Sequence, residues 1–185
     1  MINFIKEYVK NPRQIGAIAP STKYLANSMI HGIDFGSINC IVEYGPGTGV
    51  FTSEILKNCK VNTKVILLET NEEFCNELRK KYGELDNVEI INDSAENVNI
   101  HLKRLNVSKV DYVISGLPFA SLPKDISSKI LDTTNNLLSS SGEFRTFQYT
   151  MLKKNMFKNR FKNIAHKKVY KNIPPAYVLK CSNIG

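Results

Sequence analysis

The chain has 185 residues, a length that fits one domain with a sizeable core. Its 42% hydrophobic and 23% charged residues exclude wholesale disorder. The net charge of +8 is unevenly placed: residues 1–30 carry four basic and one acidic group, residues 31–150 carry 12 and 16, and residues 151–185 carry nine and none. This asymmetry predicts an anionic partner for the two ends, either nucleic acid or an anionic membrane surface.

Phe4, Ile5, Tyr8 and Val9 recur at helical spacing among Lys6, Glu7 and Lys10, which predicts a short amphipathic helix stopped by Asn11-Pro12. An apolar loop, Ile15 to Pro20, follows. Ser21 then opens a helix to about Ile30, ended by His31-Gly32. Cys40 to Tyr44 reads as a buried strand running into Gly45-Pro46-Gly47-Thr48-Gly49, and Val50 to Lys57 as a helix. Lys64 to Glu69 is the next strand. Thr70-Asn71-Glu72-Glu73 has the form of a capping box for a helix with Phe74, Leu78 and Tyr82 on one face, ended by Gly83.

Strands follow over Val88–Asn92 and Val110–Ser115, the second ending in Gly116-Leu117-Pro118-Phe119. A helix after Pro123 carries Ile126, Ile130, Leu131 and Leu137 until Gly142 breaks it, and Glu143 to Tyr149 is a strand. A short helix with Met156, Phe157 and Phe161 precedes two strands, about 164–171 and 176–182, flanking Pro174-Pro175 as a hairpin. Strands alternating with helices predict an α/β fold with a mostly parallel sheet, whose ligands bind at the carboxyl ends of the strands.

No apolar run approaches the ~18–20 residues of a membrane span. The start lacks the basic-then-apolar order of a secretion signal. Cys40, Cys59, Cys75 and Cys181 stand singly, without a CxxC pair, so no metal site or disulfide framework is expected and a reducing cytoplasm is. Gly45-x-Gly47-x-Gly49 sits between a strand and a helix, where glycines let backbone approach a ligand. Val50 stands where a dinucleotide fingerprint wants glycine or alanine, and Gly49-Val50-Phe51 fails the P-loop pattern, so NAD and nucleoside triphosphates are disfavoured.

Glu43-Tyr44-Gly45-Pro46-Gly47-Thr48-Gly49 resembles the first motif of class I S-adenosylmethionine-dependent methyltransferases, and three later positions agree. Glu69 ends the second strand, where that family places an acid for both ribose hydroxyls. Asp93, in Asn92-Asp93-Ser94-Ala95, stands where it places an acid near the adenine amino group. Ser115 to Phe119 stands where it places the substrate-facing loop. The resemblance implies a Rossmann-like, seven-stranded, mostly parallel sheet with helices on both faces and an antiparallel C-terminal hairpin. It implies a single domain over 1–185, with residues 1–32 covering the cofactor and substrate site and 38–185 forming the core. It places S-adenosyl-L-methionine on Glu43, Gly45, Gly47, Gly49, Glu69, Thr70, Asp93, Ser94, Ala95 and Ser115. It places the methyl acceptor on Ser115, Gly116, Leu117, Pro118 and Phe119. No metal is implied.

The acceptor is narrowed by the same loop. Ribosomal RNA adenine dimethylases carry Asn-Leu/Ile-Pro-Tyr/Phe there, with the Asn side chain helping to accept the target amino group, whereas this chain has Gly116. They also append a helical RNA-binding domain, for which the 35 or so residues after Tyr149 are too few. The chain is more similar to the short bacterial phosphatidylethanolamine N-methyltransferases. That likeness rests on Asn11-Pro12-Arg13-Gln14-Ile15-Gly16-Ala17-Ile18-Ala19-Pro20-Ser21, on Ser115-Gly116-Leu117-Pro118-Phe119 and on Pro174-Pro175-Ala176. It implies N-methylation of a phospholipid amine headgroup by a cytoplasmic enzyme held peripherally on the inner membrane face. RNA adenine methylation is the alternative, and a non-catalytic cofactor-binding module that docks to an anionic surface is a third. Phe119 is expected to offer its ring face to the acceptor, with Tyr8, Tyr24 and Tyr177 as neighbours. His31, His101 and His166 lie outside the four motifs.

Overall fold

A computed structural model describes residues 21–151 and 153–184. The expected amphipathic helix around Phe4–Val9 and the loop to Pro20 lie outside the described residues. In chain order the elements are α1 (Ser21–Ile30), β1 (Cys40–Tyr44), α2 (Val50–Asn58), β2 (Lys64–Glu69), α3 (Glu72–Tyr82) and β3 (Val88–Asn92). A 3₁₀ turn (Ala95–Asn97) leads into α4 (Val98–Arg104), then β4 (Val110–Ser115), α5 (Lys124–Leu137), β5 (Leu138–Gln148), α6 (Asn155–Lys158), β6 (Asn163–Val169) and β7 (Ala176–Ser182).

The strands form one sheet in the order β3-β2-β1-β4-β5-β7-β6. β1 to β5 are parallel, and β7 runs antiparallel to both β5 and β6. The order reverses between β1 and β4, so the crevice beyond their carboxyl ends is the ligand position of such a sheet. The two-residue alternation of β1 divides the core. Val42 and Tyr44 join Ile66, Leu68, Val98, Leu102, Ile130 and Phe157 on one face. Ile41 joins Leu25, Met29, Ile55, Leu67 and Leu78 on the other.

One buried cation fastens α1 to the sheet. Arg145 on β5 is 2% exposed, and its Nη1 donates to the carbonyls of Met29 at 2.8 Å and His31 at 2.9 Å. Its Nε donates to Glu143 at 2.5 Å, and its guanidinium lies 5.2 Å from the Tyr112 ring centre. The end of α1 is rich in carbonyls without intrahelical partners, and a buried guanidinium with several donors satisfies two of them.

Three local expectations are corrected. The cap of α3 is Asn71, not Thr70: the Asn71 side chain accepts from the Phe74 N–H at 3.1 Å. Glu69 also takes the Asn71 N–H, at 2.9 Å, which holds that residue extended just before the helix. α5 ends at Leu137, and the chain is already in strand from Leu138, so Gly142 lies inside β5 rather than ending the helix. A Cβ on Gly142 would stand 2.9 Å from Ser139 N and 3.0 Å from Val110 O, where the β4–β5 register shifts. Finally, the stretch between β3 and β4, for which no element is expected above, contains α4. Its two inward residues, Val98 and Leu102, are one helical turn apart and buried.

Candidate active site

The glycine loop leaves β1 with Gly45, Gly47 and Gly49 at φ of 63°, 54° and 85°, all in the left-handed region that side chains disfavour. Gly49 is also the residue before α2, so that helix opens without a side-chain cap. The Gly47 N–H donates to Glu69 at 3.0 Å, which joins the loop to the end of β2 across 22 residues of sequence. Each oxygen of the Glu69 carboxylate thus holds one backbone N–H, the other being that of Asn71, and each retains a free lone pair at the carboxyl edge. Among the described residues no heavy atom lies within 4 Å of where a Cβ on Gly47 would be, so they leave the space above the loop open. Thr70 is exposed beside Glu69.

Glu43 is completely buried one residue before the end of β1. The Thr52 hydroxyl of α2 donates to one carboxyl oxygen at 2.7 Å, while Oε1 has no partner among the described residues. Burial pushes its pKa from 4.5 up to about 8, against the stabilising Thr52 bond. Thr146 on β5 has the same character, a buried hydroxyl without a partner among the described residues, and it pairs in register with Ser115. Orphaned buried polar atoms are rare in folded proteins. Here two of them lie at the carboxyl-end rows of the sheet.

Asp93 follows β3. It accepts from the Ser94 N–H at 2.7 Å, from Asn97 Nδ2 at 2.9 Å, and pairs with His101 Nε2 at 2.7 Å. The His101 bond, with that of Asn97, holds its pKa below the usual carboxylate range. Ser94 caps the 3₁₀ turn by accepting from the Glu96 N–H, and Ala95 is buried. His101 lies outside the four motifs in the sequence. It reaches Asp93 because the turn and α4 fold the chain back over eight residues, and the signal in the sequence was the Val98/Leu102 pair that marks that helix.

The β4 loop turns toward the glycine loop. The Gly116 N–H donates to the Tyr44 carbonyl at 2.8 Å, and the Leu117 N–H to the Ser115 hydroxyl at 3.2 Å. A Cβ on Gly116 would stand 2.6 Å from the Gly45 carbonyl, and a Cβ on Gly45 would stand 2.9 Å from the Leu117 side chain. At Gly116 the backbone of the other loop excludes a side chain, while at Gly45 the left-handed φ of 63° does, since the end of the Leu117 side chain can shift. Ser115 is buried, and Gly116, Leu117 and Pro118 are partly exposed.

Phe119 differs from expectation. Its ring is wholly buried and meets Phe144 and Phe157 edge-on, with centroids 6.0 and 5.6 Å apart. Phe144 in turn stacks on Phe161 at 5.7 Å. The ring is a wedge in the core beneath the loop, not an open stacking face, because Phe144 of β5 and Phe157 of α6 close on it. Tyr24 is exposed and Tyr177 is half-buried; Tyr8 lies outside the described residues.

A switch-point crevice, a glycine loop in left-handed conformation and a strand-end carboxylate bonded to that loop define a class I S-adenosylmethionine-dependent methyltransferase. The chain belongs to the ribosomal RNA adenine dimethylase family, whose sequence profile matches residues 4–172. It is similar to the ornithine lipid N-methyltransferase of Singulisphaera acidiphila, 24% identical over 182 residues, 98% of this chain and 95% of that protein. It is also similar to ribosomal RNA small subunit methyltransferase A of Mycoplasma capricolum, 33% identical over 99 residues, 51% of this chain but 35% of that protein. The fold matches the 1,6-didemethyltoxoflavin N1-methyltransferase of Burkholderia thailandensis, solved with S-adenosylhomocysteine. That match has a TM-score of 0.70 at 12% identity and covers 97% of this chain and 86% of that one.

Proposed function

We propose that the enzyme methylates the nitrogen of an amine-bearing lipid headgroup, phosphatidylethanolamine or an ornithine lipid being the class of acceptor. The observation that carries this is the contact between Gly116 and the Gly45 carbonyl. At 2.6 Å there is no room for the Cβ of the asparagine that adenine dimethylases carry at this position. A base amino group would lack its side-chain acceptor here, whereas an alkylamine does not need one. The likeness to a lipid N-methyltransferase over 98% of this chain supports the same reading.

The residues present fit S-adenosylmethionine. Among the described residues, Glu69 has lone pairs left for two vicinal hydroxyls, the space above Gly47 is open, and Glu43 Oε1 is buried without a partner. Glu69 with Thr70 would hold the ribose, Asp93 with Ser94 and Ala95 the adenine, and the Glu43-to-Gly49 segment with Ser115 the remainder. The cofactor supplies a methyl group on a sulfonium, with a good leaving group already in place. The task left to Gly116, Leu117 and Pro118 is to hold a neutral amine in line with that methyl and exclude water. Positioning of this kind supplies much of the acceleration of such a transfer. No base is required, since the amine reacts in its neutral form and releases its proton to solvent.

Incubation of the purified protein with methyl-labelled S-adenosylmethionine, total lipid and total RNA in parallel tests the proposal. Label is expected in the lipid fraction. Label confined to RNA, on adenine, would replace this reading with RNA methylation, the activity after which the family is named.

A further inference from the structure

Resting on the lipid reading, we propose that the β6–β7 hairpin tip, with the start of α1, docks the enzyme on an anionic lipid membrane and sets its carboxyl edge against the surface. Seven large apolar residues are exposed among the described residues. Val61 and Leu85 precede parallel strands and Ile184 follows β7, all at the opposite, amino edge, and Ile100 lies on α4. The remaining three are together. Tyr170 and Ile173, 73% and 82% exposed, occupy the turn between β6 and β7. Tyr24, 50% exposed, joins them through Lys171, whose Nζ lies 5.0 Å from the Tyr24 ring centre.

The register fixes where this cluster stands. Tyr44, Ser115, Thr146, Leu179 and His166 form one row across the sheet. The glycine loop and the Gly116 loop begin immediately after that row. The hairpin strands continue three residues further, to Val169 and Ala176, before the tip begins. At about 3.3 Å per residue the tip overhangs the row by about 10 Å, on the same edge as the site.

The chemistry of the tip is that of a membrane interface. Lys168 Nζ lies 4.9 Å from the Tyr170 ring centre and 5.4 Å from that of Tyr177. Lysine stems lie along aromatic faces while their ammonium heads reach outward, the pairing that places tyrosine among headgroups and lysine against lipid phosphates. Neither residues 21–33 nor residues 144–185 contain a carboxylate, so nothing in either segment repels an anionic surface. Lysines on an edge strand also discourage strand-to-strand association. That role accounts for Lys167 and Lys168 but not for two exposed apolar side chains at the tip. Association then requires two weak signals acting together, a small apolar insertion and a local positive charge.

The test is sedimentation of the full chain with vesicles of phosphatidylcholine containing phosphatidylglycerol, and with pure phosphatidylcholine vesicles, in the absence of cofactor. Wild type is expected to bind the anionic vesicles and to be released by salt. The double variant Tyr170→Ser/Ile173→Ser is expected to lose roughly tenfold in partition, as is Lys168→Glu/Lys171→Glu. Val61→Ser, 92% exposed at the opposite edge, serves as control and is expected to bind as wild type. All the substituted side chains except Lys168 are exposed, and circular dichroism melting confirms that each variant is folded. Wild-type affinity in the tip variants, an equal loss in Val61→Ser, no binding by wild type, or equal displacement from an RNA oligonucleotide rather than vesicles would overturn the proposal. Methyl transfer to detergent-dispersed amine lipid separates the two readings. A failed docking idea leaves tip variants equal to wild type on vesicles while detergent-dispersed lipid is still methylated. A failed acceptor idea leaves vesicle binding tip-dependent with no lipid labelled.

Discussion

On the β1–β3 side of the sheet, the residues at the carboxyl edge are tied to one another by short polar contacts: Gly47 N–H to Glu69 at 3.0 Å, Thr52 to Glu43 at 2.7 Å, His101 to Asp93 at 2.7 Å. On the β4–β7 side the same edge rests on packed rings, with Phe119, Phe144, Phe157 and Phe161 in one buried cluster. The first side presents hydrogen-bonding groups, with Glu69 keeping lone pairs at the edge and Glu43 buried beneath it. The second presents backbone and small residues whose position depends on apolar wedges below. Function on the two sides is therefore sensitive to different things: loss of charge on one, loss of volume on the other.

Truncating the wedge gives the largest effect. Phe119→Ala should lower stability by about 3–5 kcal/mol, the range for removing a buried aromatic ring, measured by urea unfolding. Phe119→Tyr sharpens the comparison. A surface ring would tolerate it, but here a hydroxyl enters an all-carbon cluster and should cost about 1–3 kcal/mol. If Phe119→Ala unfolds at the wild-type urea midpoint and loses only methyl transfer, the ring is an acceptor face after all.

Glu43 makes the polar side pH-dependent. Its folded pKa of about 8 lies above the ordinary 4.5, so the native state binds more protons than the unfolded state between those values. Stability is therefore greatest below about pH 4.5, so far as this group decides it, and falls as pH rises through about 8. The loss is on the order of a few kcal/mol. Glu43→Gln should flatten that slope in melts of the cofactor-free protein taken from pH 5 to 9. An unchanged slope would show that another group causes it.

Glu69→Ala should cost less and differently. Cofactor affinity measured by calorimetry should fall by about 1–3 kcal/mol, the value of hydrogen bonds to a charged group, with the urea midpoint little changed. His101→Ala, which acts through Asp93, should give the smallest loss, about 0.5–1.5 kcal/mol in the same measurement. Equal effects from Glu69→Ala and Phe119→Ala on both affinity and stability would erase the distinction between the two sides.

The same difference explains what the sequence disclosed. The strand–loop–helix order and the glycine loop were legible because backbone conformation is written locally: Gly45, Gly47 and Gly49 allow what few other residues do. Glu69 and Asp93 come from the family resemblance, and the structure sets them at the end of β2 and just after β3. The end of α5 was not, since Leu138-Ser139-Ser140-Ser141 has no breaker and strand pairing with β4 decides the boundary. Burial of Phe119 was invisible because it follows from rings 25 and 38 residues away closing on it. Tertiary packing, not local pattern, settles such positions. In the sequence Gly116 is only a missing side chain; in the fold a Cβ there would meet the Gly45 carbonyl at 2.6 Å, so the backbone leaves no place for one.

The central claim is the nature of the acceptor. Its most direct test gives the purified full chain labelled S-adenosylmethionine with vesicles of a single amine lipid and, in a competing arm, ribosomal RNA, with both products identified by mass spectrometry. The account predicts a lipid product heavier by one or more methylene units with the label on the headgroup nitrogen, and unmodified RNA. Label on the exocyclic nitrogen of adenine, with the lipid unchanged, would contradict it.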